Sequence, residues 1–406
     1  MVHAGKNKKG MRLSFVSLLL AIALLCCPFA AYANPEGGVV AAGQASIITS
    51  AAAVDIHQQS NKAVIDWRGF DIAPNERTEF HQPSANAIAL NRVNSPNASA
   101  INGTLKANGN IIIVNQNGVL FGKQAVVDVN GLVATTADVS NERFMSDGPL
   151  KLDIPGNPNA AVVNEGSITA KESGLVGFVA PRVENSGVIT ARLGRVELAA
   201  GNTTTVDFYG DGLMEVAVSD DVSHQLVKNS GTINAQGGTI ALSAAAGSKL
   251  LSSAIENRGH LNAQTASLQG GRIIISAAGK NAVANNVAAN KGKTNVASRV
   301  SVGGSVDVSG IKAGEKGGRI TITGDTITLL DARGTLGGGV IRVGGEYLGR
   351  GATPTAMDTI VEKGAVLDAS ATVQGHGGEV IVFADYDTTF NGLIYANAAG
   401  VRGNGG

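Results

Sequence analysis

The chain has 406 residues, no net formal charge, 54 glycines and only 4% aromatic residues. So few aromatic residues exclude the usual large globular core and favour many thin, similar layers filled by Val, Ile, Leu and Ala. Length alone predicts about two or three domains, but internal repeats take precedence over that count.

Residues 1–33 have the features of a cleavable signal peptide. The basic segment Lys6–Arg12 precedes the apolar run Leu13–Ala30, and Ala31–Ala33 fits the small-x-small cleavage rule. The predicted mature chain therefore begins at Asn34.

Removal of this segment also limits the chemistry of the mature chain. Both cysteines lie within it, so the mature chain has no disulfide and no thiolate. The mature chain keeps 28 basic and 32 acidic residues, which gives no electrostatic case for nucleic acid as a partner. No second stretch is long and apolar enough to span a bilayer.

Residues 34–100 are the least repetitive part of the chain and are predicted to contain an N-terminal cap. The first coil of a solenoid has an open edge that would pair with other chains, so terminal coils need a cover. The bulky residues Trp67, Phe70 and Phe80 are gathered here and suit such a cap.

The stretch Ala107–Gly122 shows the pattern of one coil most clearly. The apolar runs Ile111–Val114 and Val119–Phe121 alternate with the Asn/Gly turns Asn108–Asn110 and Asn115–Gly118. Asn and Gly tolerate a left-handed backbone and place corners, whereas the apolar runs are too short for helices. The pattern predicts strands joined by tight corners, as in a β-solenoid, and we expect Gly118 to need a positive φ.

Two repeats continue this pattern along the chain. The motif N-x-G-x-[IL]-x-A occurs at Asn164–Ala170, Asn185–Ala191, Asn229–Ala235 and Asn257–Ala263. A Gly pair followed by alternating apolar residues occurs at Gly237–Ser243, Gly270–Ser276, Gly317–Thr323, Gly338–Gly344 and Gly377–Phe383. We expect stacked Asn side chains to hydrogen-bond along the axis. A repeat of about 20–25 residues predicts roughly 15–18 coils in the mature chain.

Two segments interrupt the repeats. Asp138–Asn159 is polar, contains three prolines and is interpreted as a loop or an extra-helical excursion. Asn281–Asn295 is rich in Ala, Asn and Lys and is interpreted as an insertion. The sequence ends at Gly403–Gly406, where another Gly-pair unit would begin, so we expect it to be part of a longer protein.

No arrangement of residues predicts a catalytic site or a cofactor, and we expect a protein that is not an enzyme. The mature histidines are interpreted as surface or coil-packing residues, and Asp207–Gly212 as a turn rather than a calcium loop. The remaining candidates are four aspartates that would form a carboxylate row on one face, as in β-helical polysaccharide lyases: Asp307, Asp325, Asp331 and Asp368.

Three blocks resemble the filamentous haemagglutinin N-terminal domain of two-partner secretion (TPS) exoproteins: Gly69–Val93, Ile101–Gly122 and Ile189–Gly212. In place of that family's Asn-Pro-Asn-Gly corner stand Asn115, Gln116, Asn117 and Gly118. A variant of its other Asn/Pro motif is Asn94-Ser95-Pro96-Asn97, with Asn94, Pro96 and Asn97 as the residues of interest. These seven residues are the predicted structural or secretion motif.

The resemblance implies an all-β, right-handed parallel β-helix with an N-terminal β cap. After the predicted signal peptide (1–33), it places a TPS domain at 34–220 and continuing haemagglutinin-type repeats at 221–406. It implies export through the Sec translocon, recognition by the POTRA domains of a partner outer-membrane transporter, and seeding of β-helix folding at the surface of a Gram-negative bacterium.

The whole protein would then be a secreted surface adhesin or haemagglutinin, with glycans of host cells or other surfaces as candidate ligands. Two alternatives remain open at this point. One is the N-terminal part of a contact-dependent toxin delivery protein, and the other is a β-helical carbohydrate-active enzyme.

Overall fold

The computed structural model of the chain describes residues 34–206, 214–219, 221–245, 250, 252–277, 297–323, 326–351, 353–401 and 403–406. The predicted signal peptide, the turn at Asp207–Gly212, the insertion at Asn281–Asn295 and Asp325 lie outside the described residues.

Nearly all regular structure is β. The strands up to residue 135 are β1 (Val39–Ala42), β2 (Ala45–Thr49), β3 (Ala53–Gln58), β4 (Lys62–Trp67), β5 (Arg77–His81), β6 (Ile88–Val93), β7 (Ser99–Ile101), β8 (Thr104–Ala107), β9 (Asn110–Asn115), β10 (Val119–Phe121), β11 (Val126–Val129) and β12 (Gly131–Thr135).

The next elements, up to residue 244, are α1 (Asn141–Met145), β13 (Leu150–Leu152), β14 (Ala161–Asn164), β15 (Ser167–Ala170), β16 (Leu175–Ala180), β17 (Arg182–Asn185), β18 (Val188–Thr190), β19 (Arg195–Ala200), β20 (Thr203–Val206), β21 (Glu215–Ala217), β22 (His224–Asn229), β23 (Thr232–Asn234) and β24 (Thr239–Ala244).

The remaining strands are β25 (Ser252–Asn257), β26 (His260–Asn262), β27 (Arg272–Ser276), β28 (Ala297–Asp307), β29 (Arg319–Thr323), β30 (Thr326–Asp331), β31 (Val340–Val343), β32 (Asp358–Asp368), β33 (Glu379–Val382), β34 (Asp387–Phe390) and β35 (Leu393–Tyr395). A short 3-10 helix covers Tyr347–Gly349.

The strands stack into three parallel ladders. The first ladder runs β4-β6-β9-β12-β16-β19-β24-β27-β29-β31-β33. The other two belong to one sheet and run β7-β10-β14-β17-β22-β25 and β3-β5-β8-β11-β15-β18-β23-β26, and both continue into β28, β30 and β32. One turn of the chain thus adds a strand to each ladder, which is a parallel β-helix and confirms the predicted fold class.

Antiparallel strands close the N-terminal end of this helix. β1 pairs antiparallel with β4, and β2 pairs antiparallel with β3. Val40, Ala45 and Ile47 on these two strands pack against the interior core. The edge of the first coil is therefore covered, as the predicted cap requires.

The Asn of the N-x-G repeat explains why the corners align from coil to coil. Asn164, Asn185, Asn229 and Asn257 form a buried column in which each Nδ2 donates to the Oδ1 of the next Asn at 2.7 Å. The glycine two residues later is needed because a Cβ at Gly187 would lie 2.1 Å from the carbonyl oxygen of Gly166. The predicted Asn column is confirmed.

The predicted number of coils is wrong. The first sheet holds 12 strands among the described residues, one of them antiparallel, rather than 15–18. Successive Asn of the column are 21, 44 and 28 residues apart in sequence. β20 and β21 lie outside the helix between Asn185 and Asn229 and account for the longest step.

Two excursions from the helix, one with α1 and β13 and the other with β20 and β21, form a second core on its outside. α1, β13, β20 and β21 lie on the outer face of the first ladder, and the three strands form an antiparallel sheet in the order β13-β20-β21. Phe144, Leu150 and Leu152 from the first excursion pack with outward-facing Ile112 and Val114. Because β9 is buried on both faces, its sequence is a continuous apolar run instead of an alternating one.

Candidate recognition site at the stacked corners

The segment Asn115–Gly118, called the second corner, joins β9 to β10 by a tight turn. The Gly118 amide donates to the Asn115 carbonyl at 2.9 Å, and the Asn117 amide donates to Asn115 Oδ1 at 2.9 Å. Gly118 has φ +113°, and a Cβ there would lie 2.5 Å from the carbonyl oxygen of Ala161. Glycine is therefore required at this position both by φ and by the close approach of the next coil.

The segment Asn94–Asn97, called the first corner, lies directly beside the second. Asn115 Nδ2 donates to the Asn97 carbonyl at 3.0 Å and to Ser99 Oγ at 3.1 Å. Asn117 Nδ2 donates to the Ser95 carbonyl at 2.9 Å. The structure thus brings together the two motifs that the sequence singled out, and the side chains of one corner hold the backbone of the other.

A third corner, Asn157–Ala160, stacks on the other side of the second and was missed by the sequence analysis. Its Asn159 amide donates to Asn157 Oδ1 at 3.0 Å, and its Ala160 amide donates to the Asn157 carbonyl at 3.0 Å. The Asn157 amide donates to the Gln116 carbonyl at 2.9 Å. The available signal was the Asn-x-Asn spacing, which was overlooked inside a segment interpreted as a polar excursion.

The exposed side chains of the first and second corners are uncharged. Asn94, Pro96, Asn97 and Gln116 are exposed, whereas Asn115 is buried within the stack. Amides offer both donors and acceptors, and the proline ring offers a small rigid apolar surface. The arrangement can form directional hydrogen bonds to a partner, but none of these four side chains titrates or can transfer a proton.

Arg92, two residues before the first corner, fastens the excursion to the helix. Its Nε donates to both oxygens of Asp138 at 2.9 Å, its Nη1 donates to Asp66 Oδ1 at 2.8 Å, and its Nη2 donates to the Val139 carbonyl at 2.6 Å. Burial of the guanidinium opposes its charged form, but the hydrogen bonds and charges of Asp138 and Asp66 outweigh burial and raise the pKa of Arg92.

The three aromatic residues expected in the cap lie in the interior core of the first coils. Trp67 and Phe70 are packed edge to face with ring centroids 5.5 Å apart, and Trp67 Nε1 donates to Asn91 Oδ1 at 3.0 Å. Phe80 is buried in the same core. The residue just before β1 lies against Trp67, since a Cβ at Gly38 would lie 2.5 Å from the Trp67 ring.

Three members of the predicted carboxylate row do align. Asp307, Asp331 and Asp368 are in register on β28, β30 and β32. Each accepts, through Oδ1, a hydrogen bond from the backbone amide two residues later, at 2.8, 3.0 and 2.9 Å. Gln264 donates to Asp307 Oδ2 at 2.8 Å, and Arg333 pairs with Asp331 at 2.7 Å and with Asp368 at 3.8 Å. The hydrogen bond and charge of Asp331 raise the pKa of Arg333. These carboxylates stabilise corners and share a cation, which favours a structural role.

None of the helices among the described residues has the length and apolar character needed to cross a membrane. The antiparallel cap, the stacked Asn corners and the extra-helical sheet define the class of capped parallel β-helix proteins. Within that class, the chain belongs to the TPS secretion domain family, whose family model matches residues 31–296. This confirms the resemblance found in the sequence.

Two curated proteins of Haemophilus influenzae, both named heme/hemopexin-binding protein, are similar to the chain. One is 34% identical over 247 residues, which cover 57% of this chain and 26% of that protein. The other is 32% identical over 278 residues, which cover 62% of this chain and 29% of that protein. The chain therefore spans less than a third of the length of these relatives.

A solved structure agrees with this assignment. The crystal structure of the HMW1 secretion domain from Haemophilus influenzae matches with a TM-score of 0.73 and 27% sequence identity, over 91% of this chain and 92% of that chain. The chain thus contains the secretion domain of a two-partner secreted exoprotein. The family consists of exoprotein secretion domains and is not a known enzyme family.

Proposed function

We propose that this chain is the export address and folding seed of a surface adhesin. Residues 1–33 direct it through the Sec translocon and are removed. In the periplasm, the domain at 34–220 is bound by the POTRA domains of a partner outer-membrane transporter. Outside the cell this domain folds first, and residues 221–406 extend its β-helix at the surface of a Gram-negative bacterium.

The observation that carries the address is the stack of three corners. Recognition residues in proteins are often found on loops that a rigid scaffold positions. Here the exposed side chains Asn94, Pro96 and Gln116 are held by turns that hydrogen-bond to one another across successive coils. A partner that forms several hydrogen bonds would therefore meet a preorganised surface, which reduces the entropy lost on binding.

The folding role is supported by the repetitive contacts of the helix. In a solenoid each coil contacts only its neighbours, so a folded end can be extended one coil at a time. The capped N-terminal coils provide such an end, and the buried Asn column gives each added coil a defined register. A chain that emerges unfolded from a pore could thus fold progressively on the seed.

The address is tested by Gln116→Lys, with Gln124→Lys as the matched control. Both glutamines are exposed on neighbouring corners of one coil, but Gln124 lies outside the three-corner stack. With the partner transporter co-expressed, we expect Gln116→Lys to appear in the medium at less than about a tenth of the parent level and to accumulate in the periplasm. Gln124→Lys should be exported normally, and both purified variants should have the melting temperature of the parent.

Two results would contradict the proposal. One is normal export of both single variants, Gln116→Lys and Asn94→Lys, because each replaces an exposed side chain of the stack. The other is equal export of the parent chain with and without the partner transporter. Immunoblots of medium and periplasm distinguish these outcomes.

The role of the whole exoprotein depends on sequence beyond this domain. An adhesin that binds host-cell or surface glycans is our first candidate. The two relatives named heme/hemopexin-binding protein favour a second candidate, an exoprotein that binds heme or hemopexin. Binding of the secreted full-length protein to immobilised glycans and to hemopexin separates the two. A toxin delivery protein would instead inhibit neighbouring cells.

A further inference from the structure

Two consecutive coils present the same kind of short motif at the same place on the outer face. Asp55-Ile56-His57 lies on β3 and Glu79-Phe80-His81 lies on β5, and the parallel register pairs Asp55 with Glu79 and His57 with His81. Ile56 and Phe80 point into the core and are buried. Because alternate residues of a strand point to opposite faces, the other four side chains form a two-by-two array of carboxylates and imidazoles on the outside.

The side chains of this array are close enough to share one ion. One ligand atom each from Asp55, Glu79 and His81 lie within 4.8 Å of one another. His81 Nε2 is 3.5 Å from Asp55 Oδ1. The rings of His57 and His81 stack with centroids 4.6 Å apart. Small side-chain rotations would place the ligand atoms of Asp55, Glu79 and His81 about 2.0–2.2 Å from one zinc ion, the length of zinc–nitrogen and zinc–oxygen bonds.

We propose that this array is a divalent-cation site selective for zinc, with Asp55, Glu79 and His81 as the protein ligands and the ring of His57 stacked on that of His81. Zinc takes four ligands and accepts mixtures of imidazole nitrogen and carboxylate oxygen, whereas calcium and magnesium prefer oxygen alone. The side chains of Asp55 and His81 are 26% and 45% exposed, so an ion could enter from solvent.

Arg77 pairs with both carboxylates of the array. Its Nη2 lies 3.0 Å from Asp55 Oδ1, and its Nη1 pairs with Glu79. The guanidinium therefore supplies the positive charge that two neighbouring carboxylates need. A bound zinc ion displaces it, so Arg77 competes with the metal and tunes its affinity.

Zinc at this position would act on the capped end of the helix. β3 is paired with the antiparallel strand β2 on one side and with β5 on the other. An ion held by both β3 and β5 cross-links the strand that carries the cap to the next coil. Because zinc would bind the folded chain and not the unfolded chain, binding raises the stability of the folded state by mass action.

The test is titration of the purified full chain, without a polyhistidine tag, with zinc chloride after treatment with EDTA. We expect one zinc ion per chain by calorimetry and an increase in melting temperature. His81→Ala and Asp55→Asn should each weaken the affinity by more than about tenfold, because even the loss of groups that only orient metal ligands usually costs about 10–100-fold. His260→Ala is the matched control, because His260 is an exposed strand histidine whose Nδ1 contacts Ser305 Oγ at 2.7 Å.

Arg77→Gln keeps the test independent of misfolding, because a folding defect cannot strengthen binding. It should bind zinc more tightly than the parent, since the competing cation is removed. Absence of zinc binding by the parent would overturn the site. So would undiminished binding by His81→Ala and Asp55→Asn, or an affinity of Arg77→Gln no greater than that of the parent.

Discussion

Asn185 Nδ2 donates to Asn229 Oδ1 at 2.7 Å, although the two residues are 44 apart in sequence. Both side chains are buried, and the same bond recurs from Asn164 to Asn185 and from Asn229 to Asn257. The column therefore holds four corners in register, whatever the length of chain between them.

Asn185→Ala should lower the free energy of unfolding by about 2–3 kcal/mol, because it leaves buried polar atoms of Asn164 and Asn229 without their partner. Ser186→Ala at the same corner is the control and should stay within about 0.5 kcal/mol, because Ser186 is exposed. Urea denaturation of the purified proteins measures both. Equal losses would mean that the column contributes no more than a surface contact.

Gly118→Val should lower the free energy of unfolding by more than Gly148→Val does. Both glycines have positive φ, +113° and +100°, so the substitution strains either backbone by about 1–3 kcal/mol. Only Gly118 faces another backbone atom, the Ala161 carbonyl, while the space around Gly148 is open. If Gly118→Val melts like the parent, the assignment of the second corner is wrong.

Ser173→Gly should stabilise the chain by about 0.5–1 kcal/mol. Ser173 has φ +64°, a conformation that disfavours residues with a Cβ and suits glycine. The equivalent corner two coils later has Gly237 with φ +70°. The control Ser167→Gly lies on the extended strand β15 and should destabilise, because glycine there only adds freedom to the unfolded chain. Thermal melts of the two variants should shift in opposite directions.

Arg92→Ala should destabilise the chain by about 3–5 kcal/mol, because it leaves Asp138, a carboxylate with only 15% exposure, without its cation. Arg68→Ala, which removes the exposed pair with Glu36, should change stability by less than about 1 kcal/mol. Denaturation curves at neutral pH measure the difference. Similar losses for the two variants would show that Arg92 is not needed to hold the excursion.

The direction of the Arg92 pKa shift sets the pH range over which this comparison should hold. A raised pKa in the folded state gives stability that is complete below the arginine pKa of the unfolded chain and is lost only as pH rises through the folded value. The loss of unfolding free energy that Arg92→Ala causes through this pKa shift should therefore be the same from about pH 6 to pH 9. Denaturation at both ends of that range measures it.

The sequence predicted the features that repeat. The N-x-G motif led to the Asn column, and the apolar run before Asn115 led to β9, because these signals are local and recur at each coil. The residues of the first and second corners were also found from the sequence, and their contact is explained by the stacking of coils.

Two contacts between segments far apart in sequence were not predicted. β13 and β20 pair although Leu150 and Val206 are far apart in sequence, and neither strand has a counterpart in other coils. The Asp55 and His81 pair escaped notice for a related reason, because the two lie on different coils and no fixed spacing identifies them. Coil stacking in three dimensions, rather than local pattern, creates both contacts.

The antiparallel sheet β13-β20-β21 affects the order in which parts of the domain can fold. The chain reaches Leu150 well before its partner Val206, and the coil strands β14 to β19 lie between them. If the N-terminus leaves the pore first, the coils of β14 to β19 fold before β20 and β21 are present to cover Phe144 and Leu152. A fragment that stops short of β20 would leave this apolar surface exposed to solvent, so we expect it to be less soluble than a fragment that extends through β21. The last step in closing the domain is thus delayed until long after its first coils have formed.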